Sequence, residues 1–199
     1  MSDRDEQTLA VYAAKVQDYL NLTRTDGPDD DVRAFIAALP SSARVLDLGC
    51  GPGTSAAAMV AEGLIVDATD ASAEMIALAS QYLGVNARQA SFSELEASDF
   101  YDGIFANFSL LHAPKADFPD HLKRIHTALK PAGILHLGMK LGTGESRDNL
   151  GRFYAYYNID ELTGFLLGAG FSKASALRNG SAPGLAGNVE PFVIMRAHV

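Results

Sequence analysis

Val45-Leu46-Asp47-Leu48-Gly49-Cys50-Gly51-Pro52-Gly53-Thr54-Ser55 is the stretch on which the rest of the chain is read. Val45, Leu46 and Leu48 supply β-favouring bulk, with an acid, Asp47, inside the run. Glycines stand at alternate positions 49, 51 and 53, and a helical segment follows. A turn without side chains lets a ligand lie directly against the backbone. Exposed N–H groups there, next to a helix N-terminus, would suit a negatively charged or polar ligand group. The spacing is Gly-x-Gly-x-Gly, unlike the Gly-x-Gly-x-x-Gly that cradles a dinucleotide pyrophosphate. Leu64-Ile65-Val66-Asp67-Ala68-Thr69-Asp70 then reads as a second buried strand ending in an acid. A carboxylate at that strand tip can accept both hydrogen bonds of a ribose diol. Together, the two halves select a nucleoside-containing cofactor.

Composition narrows the setting. A chain of 199 residues with 48% hydrophobic and 20% charged residues fits one domain, expected to span residues 1–199. A formal charge of −8, without any lysine–arginine cluster, argues against a nucleic-acid or anionic-membrane partner. Cys50 is the lone cysteine, so the chain has no intramolecular disulfide, and no Cys/His cluster has zinc spacing. No metal is expected. The polar start, Met1-Ser2-Asp3-Arg4-Asp5-Glu6, does not read as a signal peptide. With no apolar run of about 18 residues to span a membrane, the expectation is a cytoplasmic protein.

Upstream of the glycine turn, Leu9, Tyr12, Ala13, Val16, Tyr19 and Leu20 mark one face of an amphipathic helix over residues 7–20. Residues 23–28 form a breaker-rich loop, and a second helix places Val32, Phe35, Ile36 and Leu39 inward before Pro40. Downstream, strands and helices alternate. Residues 56–61 form a helix closed by Gly63. A second helix over 72–83, capped by Ser72, turns Met75, Ile76, Ala79 and Leu83 inward. A weak strand at 85–90, a strand at 101–108, a helix from Phe118 to Leu129 and a strand from Ile134 to Lys140 follow. This alternation implies a parallel sheet covered on both faces, with ligands at the carboxyl ends of its strands. Residues 141–157 break the rhythm, with glycines and then crowded aromatics. A last helix starts near Asn158, with Glu161 in a capping box, and ends at Gly170. Strands at about 173–178 and 192–195, joined by a glycine-rich connector, suggest an antiparallel hairpin.

Val45-Leu-Asp-Leu-Gly-Cys-Gly-Pro-Gly-Thr54 resembles the first motif of class I S-adenosylmethionine-dependent methyltransferases, and Asp67–Met75 resembles the second-strand motif. Tyr101–His112 and Leu129-Lys-Pro-Ala-Gly-Ile134 are similar to the fourth- and fifth-strand segments of that family. The likeness covers residues 44–140. It implies a doubly wound, Rossmann-like α/β fold of seven strands, the last antiparallel, and S-adenosyl-L-methionine as cofactor. Gly49, Cys50, Gly51 and Gly53 would hold its methionine part, with Asp47 in support. Asp70 would bind the ribose, with Ala71 beside it, while Met75, Ser91 and Phe92 flank adenine. Asn107 and Phe108 complete the cofactor-facing set. The third strand lacks the acid often found at its end, and Ser91 stands there instead. The fourth strand ends in Asn-Phe-Ser, which argues against the branches that methylate amino groups of DNA and protein glutamine.

The expected activity is methyl transfer to a small molecule, with no nucleic-acid or membrane partner. Residues 1–28 are expected to form a lid helix and loop, placing Tyr12 and Tyr19 against the cofactor. The insert 141–157 would face the substrate through Arg152, Tyr154 and Tyr157. His112, just past the fourth strand, and Tyr154 are the candidates for a general base. His112 is also expected at the substrate. Two rival readings stand beside this one: a module that binds the cofactor without transferring its methyl, and a nicotinamide-dependent oxidoreductase.

Overall fold

The computed structural model describes residues 5–23 and 29–199; residues 24–28 of the expected breaker loop lie outside them. The N-terminal segment forms α1 (Glu6–Ala14) and α2 (Val16–Thr23), followed by α3 (Asp30–Ile36). The alternating part runs β1 (Arg44–Leu48), α4 (Thr54–Ala61), β2 (Ile65–Asp70), α5 (Ala73–Ala79), β3 (Val85–Gln89) and β4 (Tyr101–Asn107). It continues through α6 (Phe118–Ala128) and β5 (Leu129–Lys140). The remainder is β6 (Glu145–Arg147), β7 (Phe153–Ala155), α7 (Ile159–Gly168), β8 (Lys173–Pro183) and β9 (Val189–His198).

Seven strands form one sheet in the order β3-β2-β1-β4-β5-β9-β8. The pairs from β3 to β5 are parallel, and β9 runs antiparallel to both of its neighbours. The strand period of two explains the two cores. Leu46 and Leu48 of β1 face one side, packing with Leu122 and Ile125 of α6 and Leu162 and Leu166 of α7. Val45 faces the other side, with Phe35 of α3 and Ala56 and Met59 of α4. The order reverses beside β1, so its glycine turn and the end of β4 meet at a crevice where such sheets hold ligands.

Four local expectations are corrected. The helix over 7–20 is broken at Lys15, whose φ of −116° and ψ of 23° leave the helical region. On a straight helix Tyr12 and Tyr19 would sit about 10 Å apart along the axis; the break brings their rings to 5.4 Å, edge to face. The helix over 72–83 ends at Ala79, although Ser72 does cap it, and Leu83 is 97% exposed instead of inward. Residues 141–157 are not merely irregular: β6 and β7 pair there as a two-stranded hairpin. The glycine-rich connector at the C-terminus is itself mostly strand, leaving only 184–188 between β8 and β9.

Candidate active site

The glycine turn is fastened from within. Gly49, Gly51 and Gly53 all take left-handed φ values, +76°, +53° and +85°. The N–H groups of Gly49 and Cys50 both donate to the Thr69 carbonyl, at 2.7 and 2.9 Å. Gly51 N–H donates to the Asp70 carboxylate at 2.9 Å, and Ser72 N–H donates to its other oxygen at 2.8 Å. These three amides are consumed by the fold, so the glycine turn itself does not offer the donors expected of it. What the turn presents instead is acid. Asp47 accepts from Ala56 N–H with one oxygen, while its buried Oδ2 has no partner. Burial, reinforced by the charge of Asp70, pushes the Asp47 carboxyl up to about 7; burial raises Asp70 as well. Groups that donate hydrogen bonds or carry positive charge complement this corner.

Two cavities meet at the rim. The first holds about 780 Å³ of space, part of it open to solvent, between the glycine turn, Asp70, the Ser91-Phe92 turn and α1. The second, about 1610 Å³ on the same basis, lies between Asp47, the insert 141–157 and the β8–β9 hairpin. Tyr12, Tyr19, Gly49, Asn107, Phe108 and His112 border both.

The Tyr12 hydroxyl is the hub between them. It lies 2.9 Å from His112 Nε2 and accepts from Arg152 Nη1 at 2.9 Å. His112 Nδ1 lies 2.7 Å from the Phe153 carbonyl, which can only accept. The proton therefore sits on Nδ1, Nε2 keeps its lone pair, and the Tyr12 hydroxyl donates to it. Burial lowers the His112 ring to about 4, so it is neutral near pH 7. Arg152 is itself fixed by Asp148, at 3.0 Å from Nε and 2.6 Å from Nη2.

The floor comes from β4 and β5. His136 Nε2 lies 3.3 Å from Asn107 Oδ1, and that oxygen also crowds the bare backbone of Gly138. With its oxygen turned inward, the amide has its NH₂ left for the cavities. Phe108 holds a φ of +55°, a conformation costing a bulky residue about 1–3 kcal/mol. Its ring meets Phe192 of β9 edge to face at 5.7 Å.

Most predicted site residues converge here. Tyr12, Tyr19, Gly49, Gly51, Asp70, Ala71, Met75, Ser91, Phe92, Asn107 and Phe108 border the first cavity. Asp47 and Cys50 border the second, as do His112, Arg152 and Tyr154. Gly53 borders neither: a side chain there would come within 2.7 Å of Ala79 Cβ, so this glycine serves the contact between α4 and α5. Tyr157 is corrected too, since it is fully buried with its ring 4.8 Å from Phe118, inside the core. Sequence reading missed Lys140, Glu190, Arg178 and Phe192, which close the second cavity. Lys140 pairs with Glu190 and lies 3.7 Å over the Tyr154 ring. Only the pairing of β5 with β9 brings Lys140 and Phe192 together, and nothing local signals it.

Comparison with known proteins agrees with this geometry. A family model described as a methyltransferase domain matches residues 45–133. The chain is 29% identical over 149 residues to the carboxy-S-adenosyl-L-methionine synthase of Psychrobacter sp. (strain PRwf-1), covering 68% of this chain and 54% of that protein. It thus spans about half the length of the curated relatives it matches, 54% and 40%. The structure of a Burkholderia thailandensis 1,6-didemethyltoxoflavin-N1-methyltransferase, solved with its acceptor and S-adenosylhomocysteine, is 25% identical. That match has a TM-score of 0.70 over 100% of this chain and 91% of that one. A Haemonchus contortus phosphoethanolamine N-methyltransferase shares the fold, with a TM-score of 0.78 at 17% identity over 100% and 60% of the two chains. Residues 45–133 thus match a methyltransferase domain, and the strand order and glycine turn are those expected of class I S-adenosylmethionine-dependent methyltransferases, which this chain resembles.

Proposed function

We propose that this chain transfers a methyl group from S-adenosyl-L-methionine to a small-molecule acceptor. The observation that carries the reading is the pair of carboxylates flanking the glycine turn, the buried Asp47 with an oxygen left unpartnered and the half-buried Asp70. S-adenosylmethionine fits them: its ammonium answers Asp47 Oδ2, and its ribose hydroxyls answer the remaining lone pairs of Asp70. A nicotinamide dinucleotide brings a pyrophosphate, which two carboxylates would repel and for which the amides of Gly49, Cys50 and Gly51 are already spent. Met75, Ser91 and Phe92 sit where an adenine would rest in the first cavity.

When bound, the cofactor supplies an electrophilic methyl, and the electron pair of the broken C–S bond stays on sulfur. The chain's own part is to position the acceptor, exclude water and receive a proton. An acceptor N–H or O–H that takes the place of the Tyr154 hydroxyl on the Tyr12 oxygen can pass its proton there while the Tyr12 proton moves to His112 Nε2. The Arg152 guanidinium, 2.9 Å from the Tyr12 oxygen, stabilises negative charge that develops there. Tyr12 belongs to α1, whose only buried residue is Thr8, so closing this helix completes the relay. The second cavity beside that relay supports a transferase over a module that only binds the cofactor. A small acceptor also accords with the B. thailandensis relative, named for methylating 1,6-didemethyltoxoflavin.

Thermal-shift titration tests the reading. S-adenosylhomocysteine should raise the melting temperature in a saturable way and NAD should not; the reverse pattern would sink it.

A further inference from the structure

We infer that the second cavity takes an uncharged, planar aromatic acceptor carrying an oxygen or ring nitrogen with an available lone pair. This rests on the methyl-transfer reading above.

Charge argues first. Three cations border the cavity, and each already holds a carboxylate: Arg152 with Asp148 at 2.6 Å, Arg178 with Asp31 at 2.6 Å, and Lys140 with Glu190. An anionic acceptor would have to take a cation from one of these pairs and strand its partner. A cationic acceptor would have to do the same from the acid side. Breaking a buried pair leaves an uncompensated charge, and Arg152–Asp148 is nearly sealed, with side chains 3% and 5% exposed. Two lining acids among the described residues hold no cation: Asp47, assigned above to the cofactor's ammonium, and Asp29, whose carboxylate caps α3 by accepting from Val32 N–H. An acceptor without net charge is thus the one that leaves the wall intact.

Shape argues second. Phe108 and Phe192 meet at 82° between ring planes, and Tyr154 is held between Lys140 at 3.7 Å and Arg152 at 5.2 Å. Rings fixed in this way favour a flat partner, through stacked or edge-to-face contacts. The left-handed φ of Phe108 falls at the one phenylalanine among the described residues that borders both cavities. The polar match comes third. With Oδ1 of Asn107 turned to His136 Nε2 over the bare backbone of Gly138, its NH₂ is left to donate, and so it calls for a lone pair on the acceptor.

The test uses the full chain saturated with S-adenosylhomocysteine, with calorimetry and saturation-transfer NMR as readouts. Quinolin-4-ol and 1-naphthol serve as uncharged planar probes, 2-naphthoate as a planar anion and phosphoethanolamine as a charged compound without a ring. At least one uncharged planar probe should bind at least tenfold more tightly than either charged compound. Phe192→Leu should weaken that binding about tenfold, with S-adenosylhomocysteine affinity measured on the same variant as the control for folding. Tighter binding of 2-naphthoate or phosphoethanolamine overturns the inference. So does the failure of both planar probes on a protein that binds S-adenosylhomocysteine. Failure to bind S-adenosylhomocysteine at all overturns the parent reading instead, and this one with it.

Discussion

Asp47→Asn separates a carboxylate that binds from one that merely fills space. In the ligand-free protein the Asp47 carboxyl titrates near 7, because burial and the Asp70 charge both oppose ionisation. An ammonium pairs only with the ionised form. The ionised fraction is about 0.1 at pH 6 and about 0.9 at pH 8, so S-adenosylhomocysteine should bind about tenfold more tightly at pH 8. The amide cannot supply the charge-assisted bond, which contributes on the order of 1.5–3 kcal/mol, so the variant should bind about 10- to 100-fold more weakly at pH 8. Its own affinity should be flat between pH 6 and pH 8. Stability should move the opposite way. A carboxyl whose folded pKa lies above its unfolded one stabilises the fold at acid pH and loses that contribution as pH rises through 7. Relative to the ordinary value of 3.8, the shift corresponds to about 4 kcal/mol against the fold at pH 8. Asn removes this term, so the variant should melt higher at pH 8, by up to about 10 °C for a chain of this size. Isothermal titration calorimetry and differential scanning calorimetry at both pH values read the two effects. Weaker binding together with a lower melting temperature would mean Asp47 is a structural acid, and the argument would fail.

Asp70→Ala should also weaken S-adenosylhomocysteine binding about 10- to 100-fold, and it should lower the melting temperature, because Gly51 and Ser72 N–H lose their acceptor. An unchanged affinity by calorimetry would remove Asp70 from the cofactor site. Gly53→Ala should destabilise the protein through its φ of +85° and the overlap with Ala79, by about 1–3 kcal/mol, without changing affinity in the fraction that stays folded; a chemical-denaturation midpoint equal to that of the parent would refute this. His112 and His136, both lowered to about 4 by burial, stabilise the fold fully above pH 6.5 and lose that contribution as pH falls through 4. In ¹⁵N NMR at pH 7, His112 should show the Nδ1–H tautomer, and Tyr12→Phe should shift its Nε2 resonance. A charged ring at pH 7 would exclude the relay. Hydrogen exchange over residues 7–20 should slow when S-adenosylhomocysteine binds; strong protection without ligand would make α1 a core helix and not a lid.

The parallel half of the fold was legible because its buried strands carry short apolar runs that end at a polar or turn-forming residue. Val45–Leu48 ends at Gly49 and Ile104–Ala106 at Asn107, with no knowledge of their neighbours needed. The cofactor rim followed from the rule that ligands gather at strand ends. The sign of the turn's electrostatics was not legible, because whether an amide is free depends on where the Thr69 carbonyl lands after a full crossover. Tyr154 and Tyr157 look alike in a segment without periodicity. The β6–β7 pairing decides between them, placing Tyr154 against His112 and leaving Tyr157 to the core. The wall of the second cavity rests on the partnership of Lys140 with Glu190, 50 residues apart, which sequence spacing cannot announce.

The fastenings of α1 have a consequence for anyone who would rebuild this protein. Asp5 is bound to Arg147, Thr8 to the Phe153 amide and Tyr12 to Arg152, so every polar anchor named on this helix ends in the hairpin region 141–157 or beside it. The first and second of these ties join residues 142 and 145 positions apart in the chain. The two segments therefore behave as one transplantable cassette despite lying at opposite ends of the sequence. Exchanging the hairpin for that of a relative to change acceptor preference, while leaving residues 5–19 in place, would take away the partners of a carboxylate, a hydroxyl and a phenol at once. A successful chimera would have to swap both pieces together.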